Sequence, residues 1–231
     1  LQNTAKVCKE RKVKFCFVAQ SFAMYIGKNL YYYSPSEKEM MFQIHLLMGF
    51  GLKNLSFYTY YPHGCSSLQG ENYPLDGSIV NEKGEKTIHY ERVQKAINEF
   101  KRLLPVIYNF NYVGSSYDVA SFATWLKPLD FCVHDEMHDI ISFSTDREGV
   151  LVNELEDKDE NHLYRVINVT DTNVVDLQNI SQNTTILFNN QFKFADIYKD
   201  GKWTKTELKD SKLVVSLLPG EACYILPYEE N

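Results

Sequence analysis

The chain has 231 residues, 44% of them hydrophobic and 14% aromatic, with 24 Lys and Arg against 30 Asp and Glu for a net charge of −6. That suits one large or two modest domains with real cores, while the acidic balance and the lack of a basic stripe exclude nucleic acid as the natural partner. No apolar run approaches the ~20 residues of a membrane span and no signal peptide opens the chain, so no membrane partner is expected.

Gln2-Asn3-Thr4-Ala5-Lys6-Val7-Cys8-Lys9-Glu10 reads as the tail of a helix leading into a first strand, and a start at Leu1 rather than methionine reads as a fragment or proteolytic product. Val13-Lys14-Phe15-Cys16-Phe17-Val18-Ala19, ending in Gln20-Ser21, has the composition of a buried parallel strand with a polar mouth. Ser34-Pro35-Ser36-Glu37 predicts a helix start, with Ser34 as N-cap, Pro35 in the first position and Glu37 closing a capping box. Met40, Met41, Ile44, Leu47 and Met48 recur at helical spacing, and Gly49 and Gly51 stop the helix because glycine adopts a left-handed C-cap at little cost. Residues 52–60 read as a second strand, Leu55 and Phe57 alternating with Ser56 and Tyr58. A further helix over residues 88–108 puts Tyr90, Val93, Ile97, Phe100 and Leu104 on an inner stripe, with Glu91, Lys95, Glu99 and Lys101 outside and Pro105 near the end. Strand, helix and strand over residues 13–61 are two steps of a parallel barrel. A whole (β/α)8 barrel needs about 250 residues and does not fit in a chain whose second half is rich in short strands.

Past residue 110 the pattern changes. Asn111-Tyr112-Val113-Gly114-Ser115-Ser116 is a loop signal, and after Pro128 helical periodicity disappears. Short alternating segments at 129–133, 140–144, 149–153, 163–169, 185–188, 195–198, 213–217 and 222–226, with hairpin signals at Asp200-Gly201 and Pro219-Gly220, predict an antiparallel sandwich. The predicted fold class is α/β plus all-β: part of a (β/α) barrel over residues 1–110, a linker over 111–127 and an antiparallel β-sandwich over 128–231. Acidic Glu154-Leu155-Glu156-Asp157-Lys158-Asp159-Glu160 reads as a solvated loop between strands, set against a calcium site.

The stretch Phe42-Gln43-Ile44-His45-Leu46-Leu47-Met48-Gly49-Phe50-Gly51-Leu52-Lys53-Asn54-Leu55-Ser56-Phe57-Tyr58-Thr59-Tyr60 resembles the last helix and strand of clan-A glycoside hydrolase barrels, similar to the family 42 β-galactosidases and related glycosidases. The helix from Thr87 and the tail Leu217-Leu218-Pro219-Gly220-Glu221-Ala222-Cys223-Tyr224-Ile225-Leu226 resemble the closing helix and the C-terminal β-sandwich of those enzymes. The resemblance implies hydrolysis of O-glycosidic bonds by a parent protein in which this chain supplies part of the sugar-binding cleft. It further implies a bacterial hydrolase of carbohydrate metabolism. Retaining hydrolysis needs two carboxylates about 5 to 5.5 Å apart. The resemblance puts the acid/base after the fourth barrel strand, absent here, and the nucleophile near Gln20, which cannot attack an anomeric carbon. This chain alone is therefore expected to be inactive.

Gln20 reads as a donor to a sugar hydroxyl at the barrel mouth, or as a group that satisfies the strand end. Tyr58, Tyr60, Tyr61 and His63 cluster at the end of the second strand, where flat rings with a polar tip suit a sugar face, and alternation puts Tyr58 and Tyr60 on one side. Tyr31-Tyr32-Tyr33 could form another wall, and Glu71 is the best remaining carboxylate near that face, set against an exposed loop glutamate. The expected partners are carbohydrate and either the missing barrel segment or a second copy across the open barrel edge. A non-catalytic carbohydrate-binding or structural protein with a degenerate barrel is the alternative, favoured by Gln20.

No phosphate loop, dinucleotide fingerprint or serine elbow is present, and no cofactor is expected. Five cysteines lack metal-ligand spacing. Cys16, Cys132 and Cys223 lie in apolar strand-like runs as small hydrophobes, which favours a reduced, cytoplasmic compartment over secretion. Triplets at Asn54, Asn168, Asn179 and Asn183 would permit glycosylation in a secretory protein, though Asn54 lies in a predicted buried strand. His134-Asp135-Glu136-Met137-His138 places two histidines four apart, but aspartate follows the first where zinc proteases need glutamate, so it reads as a polar turn and no metal site is expected. Trp125 and Trp203 are expected to anchor the interdomain contact and a sandwich hairpin.

Overall fold

The computed structural model describes residues 1–22, 24–26, 29–61, 78–119, 134–147, 149–170 and 179–229. Helix α1 (Gln2–Glu10) leads into β1 (Phe15–Gln20), which pairs in parallel with β4 (Leu52–Tyr58). Between them come a short hairpin, β2 (Met24–Ile26) with β3 (Asn29–Tyr32), and helix α2 (Glu37–Gly49). Helix α3 (Ile88–Ile107) follows, and the rest is antiparallel. A six-stranded sheet runs in the order β11 (Lys202–Glu207), β10 (Phe194–Lys199), β13 (Ala222–Tyr228), β8 (His162–Asn168), β7 (Gly149–Glu156), β5 (Asn111–Val119). A three-stranded sheet runs β12 (Lys212–Leu217), β9 (Gln182–Phe188), β6 (Ile140–Thr145).

Two cores explain the layering. Leu151, Leu155, Leu163 and Ile167 project from one face of β7 and β8 into a core shared with Met40, Ile44, Leu52, Val93 and Phe100 of the helical layer. Val150, Val152, Tyr164 and Val166 project from the other face into a core shared with Ile186, Phe188, Leu213 and Val215 of the three-stranded sheet. A strand covered on both faces has no solvent side, so β7 and β8 are buried along nearly their whole length without alternating burial. The three-stranded sheet is covered on one face, and β12 accordingly alternates buried and exposed residues.

Several local expectations shift. The N-cap of α2 is Ser36, not Ser34, and Glu39 rather than Glu37 closes the capping box, accepting from the Ser36 N–H at 2.7 Å. Upstream groups are held elsewhere: Ser34 Oγ lies 3.1 Å from His89 Nε2, and the Pro35 carbonyl accepts from Arg92 at 3.0 Å. Glu37 pairs with Lys95 of α3 at 2.7 Å. Glu99, expected on the outer face of α3, is buried, because the sheet covers that side of the helix. The expected loop at residues 111–116 is the start of β5, which gains backbone partners along β7. Strand β11 lies outside the expected segments. Pro219-Gly220 is no hairpin turn: Gly220 takes a φ of 79°, but β12 and β13 lie in different sheets, so the turn carries the chain from one to the other. Asp200-Gly201 does join paired strands, both residues at positive φ, and the exposed ring of Trp203 beyond it contacts Tyr198.

Strand β1 has one hydrogen-bonded neighbour among the described residues, so it is not buried on both sides as its composition predicts. Cys16 and Val18 are exposed, and Asn54 is exposed beside Cys16, donating to its Sγ at 3.2 Å. Cys223 does behave as a buried hydrophobe, its thiol pushed up to about 12 by burial. Cys132 and Trp125 lie outside the described residues. On β4, Lys53 donates to the Ile107 and Phe110 carbonyls at the end of α3, and burial followed by the nearby Lys14 charge lowers its ammonium to about 8.

The two glycines after α2 have separate roles. Gly51 sits at a φ of 76°, where side-chain-bearing residues are strained. Gly49 instead marks a close approach of helix to sheet: a Cβ there would lie 2.2 Å from Asn153 Oδ1 and 3.2 Å from Arg165 Cδ, both on buried side chains. Gly49→Ala is therefore expected to destabilise the protein by about 1–3 kcal/mol through overpacking, read as a lower urea midpoint at unchanged m-value.

Candidate functional site

The carboxyl ends of β1 and β4 lie side by side, with Gln20 and Tyr58 as direct register partners. The buried Ser21 ties them, its N–H and hydroxyl both donating to the Tyr58 carbonyl at 3.0 and 2.8 Å. Gln20 Nε2 donates to the Phe22 and Tyr33 carbonyls, each at 2.8 Å, so the amide nitrogen braces the chain leaving β1 and the Oε1 oxygen remains to accept. Tyr58, Tyr60 and Tyr61 are all about half exposed or more, while Thr59 between the first two is buried. The Tyr58 ring meets Phe22 edge-on at 5.2 Å, Tyr61 donates to the Glu82 carbonyl at 3.0 Å, and Tyr33 donates to Glu39 at 2.5 Å. Residues 59 and 60 are held from the other side by Ile79 and Val80 N–H groups at 3.2 and 2.9 Å. This gives a shelf of tyrosines on a braced strand end. His63 and Glu71 lie outside the described residues.

Beneath the helices, a chain of polar groups joins both layers. Arg102 grips Glu99 with two hydrogen bonds, at 2.9 and 2.6 Å, which raises the guanidinium pKa. Glu99 Oε1 lies 3.7 Å from His45 Nε2, and on the other side Arg165 reaches the His45 carbonyl at 2.8 Å and its Nδ1 at 2.6 Å. An arginine has only donors, so His45 Nδ1 must accept and the ring is neutral there. Burial, followed by the charges of Arg165 and Arg102, holds the His45 pKa well below its ordinary value.

The expected polar turn at residues 134–138 disperses its side chains. The segment is irregular and bends at His138 and Asp139, which excludes a shared helical face for its histidines. His134 stacks on Tyr117 at 4.1 Å, with Nδ1 2.9 Å from Ser116 Oγ. Asp135 accepts from Lys6, Gln2 and the Ser115 N–H, and although burial raises its pKa these bonds outweigh it and hold the carboxyl below the usual range. His138 turns to Glu154, which is fully buried in β7 rather than solvated in a loop, and His162 of β8 completes a trio. Sequence reading missed Glu154 and His162 because the acidic run around Glu154 looks solvated and only strand pairing brings the three together. Asn168, of the glycosylation triplets, is buried with Nδ2 donating to the Leu217 carbonyl at 2.9 Å. No family model and no curated protein matches this chain.

The His45 network has a definite pH signature. An unfolded chain protonates this histidine near pH 6.5, and the folded one resists protonation until well below it. The contribution to stability is thus present above about pH 6.5 and is lost as pH falls below that value toward the folded pKa. Urea midpoints are expected to fall between pH 7.5 and pH 5.5, and His45→Gln, whose oxygen can still accept from Arg165, should flatten that dependence.

Proposed function

We propose that this chain is the C-terminal part of a glycoside hydrolase acting on O-glycosidic bonds, with β1, α2 and β4 as the last units of a (β/α)8-type barrel and the paired sheets as its supporting β-sandwich. The single observation that carries the reading is the pairing of Gln20 with Tyr58 at the carboxyl ends of adjacent parallel strands, the end at which barrel active sites are built. Exposed Tyr58 and Tyr60 offer flat faces to the C–H surface of a sugar ring, and Gln20 Oε1 offers an acceptor for a hydroxyl. With an amide where a nucleophile would stand, the contribution of this chain is binding and orientation, and the catalytic carboxylates are assigned to the barrel strands before β1. Glu71, outside the described residues, is retained as a candidate catalytic carboxylate within this chain.

A second reading, a non-catalytic carbohydrate-binding or structural protein, is favoured by one observation: both donor bonds of Gln20 go to main-chain carbonyls, the role of a structural brace.

Binding of an oligosaccharide panel, followed by calorimetry, is expected to weaken about tenfold in Tyr58→Ala and in Tyr60→Ala, equal to about 1.4 kcal/mol. Loss of neither affinity removes the tyrosine shelf as the subsite. Turnover of aryl glycosides by the chain extended upstream supports the hydrolase, whereas binding without turnover supports the second reading. Within an active enzyme, Glu71→Gln should lower turnover at least a hundredfold if Glu71 takes part in catalysis, and unchanged turnover would take it out of the mechanism.

A further inference from the structure

Glu154 and His162 lie on one face of the β7–β8 pair, diagonally across the Glu154–Tyr164 and Glu156–His162 register pairs. Diagonal neighbours of this kind are ~7–8 Å apart at the backbone, within reach of long side chains. His138 arrives from the segment leading into β6 of the opposite sheet. The three side chains each offer a donor atom, and those atoms all lie within 4.8 Å of one another.

The Glu154 side chain is wholly buried, and a buried carboxylate requires a compensating cation close by. Both histidines turn Nδ1 toward the same oxygen, Oε1, His138 at 2.6 Å and His162 at 2.7 Å. The second contact is short without being a hydrogen bond: His162 Nδ1 is buried and has no hydrogen-bond partner, because its geometry does not direct an N–H at the oxygen. The two rings also stack, with centroids 4.4 Å apart and planes 20° from parallel. Two charged imidazoliums so stacked repel each other, while a neutral ring facing Oε1 through its lone pair opposes the carboxylate. A divalent cation among the three atoms removes both conflicts, since it takes a lone pair from each neutral imidazole and from the carboxylate.

We propose that His138, Glu154 and His162 form a binding site for a divalent transition cation, with Zn2+ the best match to two imidazoles and one carboxylate. Zn–N and Zn–O bonds of about 2.0–2.2 Å place tetrahedral ligand atoms roughly 3.3 Å apart, so the two N···O contacts at 2.6 and 2.7 Å need to open by less than about 1 Å. Outer contacts already orient the ligands: Glu154 Oε2 accepts from the His138 N–H at 3.3 Å, and beside it the Asp139 N–H and carboxylate bond the Tyr164 hydroxyl at 2.9 and 3.0 Å. His138 is 56% exposed, which provides a route in and an open fourth position for water. The ion clamps the start of β6 to β7 and β8 and so joins the two sheets. The site shares no residue with the tyrosine shelf, and its existence does not depend on the carbohydrate reading.

Calorimetric titration of the chelator-treated chain with Zn2+ is expected to show one tight equivalent, and saturation should raise Tm by about 5 °C. His138→Ala removes an exposed ligand without opening either core, and should weaken Zn2+ binding about tenfold or more and abolish the Tm rise. Co2+ should give the visible absorption of a four-coordinate ion in the parent chain and lose it in His138→Ala. Zn2+ binding of unchanged affinity and stoichiometry in folded His138→Ala, or no uptake by the folded parent chain at micromolar Zn2+, overturns the proposal and leaves the trio as a hydrogen-bonded latch.

Discussion

The guanidinium of Arg165 is one of the most deeply buried groups in the molecule, and the helical layer docks on the large sheet around it. It projects from β8 into the face that carries Leu163 and Ile167, lies 4.4 Å from the Tyr224 ring, and bonds a carbonyl and a ring nitrogen at the end of α2. A charge so placed is tolerated only if it is hydrogen-bonded and its charge is offset nearby. The carbonyl and Nδ1 of His45 accept from Nε and Nη2, and Glu99 offsets the charge from the far side of that ring, itself held by Arg102. The contact demands close approach, which Gly49 permits. One guanidinium thereby ties α2 to the sheet directly and α3 through His45 and Glu99.

The same sheet is covered on its other face, and this double coverage organises the remainder. Strands β7 and β8 are buried along nearly their whole length, polar residues included, and at one rim of the pair, where β7 leads into β8, polar groups gather. Glu154 and His162 belong to that rim, and His138 reaches it from the opposite sheet. A carboxylate driven into the rim by strand pairing must find polar partners, and the two imidazoles are what the fold supplies. At the opposite extreme, β1 is open along one edge among the described residues, and its carboxyl end carries polar and aromatic side chains.

The regular elements are largely legible in the sequence because they obey local rules. Helical spacing from Met40 to Met48 marks α2, and alternation marks most of the later strands. Expectation and structure part where a distant partner decides the outcome. Ser34 and Ser36 are equally good caps by composition, and contacts from α3 select the second. Residues 111–116 carry a loop composition, with Gly114 and two serines, yet β7 supplies a hydrogen-bonding edge that makes them strand. Pro219-Gly220 has the chemistry of a hairpin turn, and only the separation of β12 and β13 into different sheets shows that it is a crossing.

Sequence by itself determined where the helices and most of the later strands form, the change of character after residue 110, and the tyrosine cluster that ends β4, since all of these depend on neighbours a few residues apart. It also established that a glutamine stands at the end of β1. Only the tertiary structure decided which polar residues are buried, because that depends on which faces are covered twice. Glu99 and Glu154 both look like solvent-facing acids in a charged neighbourhood. Packing placed the first beside Arg102 and His45 and the second between His138 and His162, because burying a carboxylate requires a partner that only the folded chain can bring within reach.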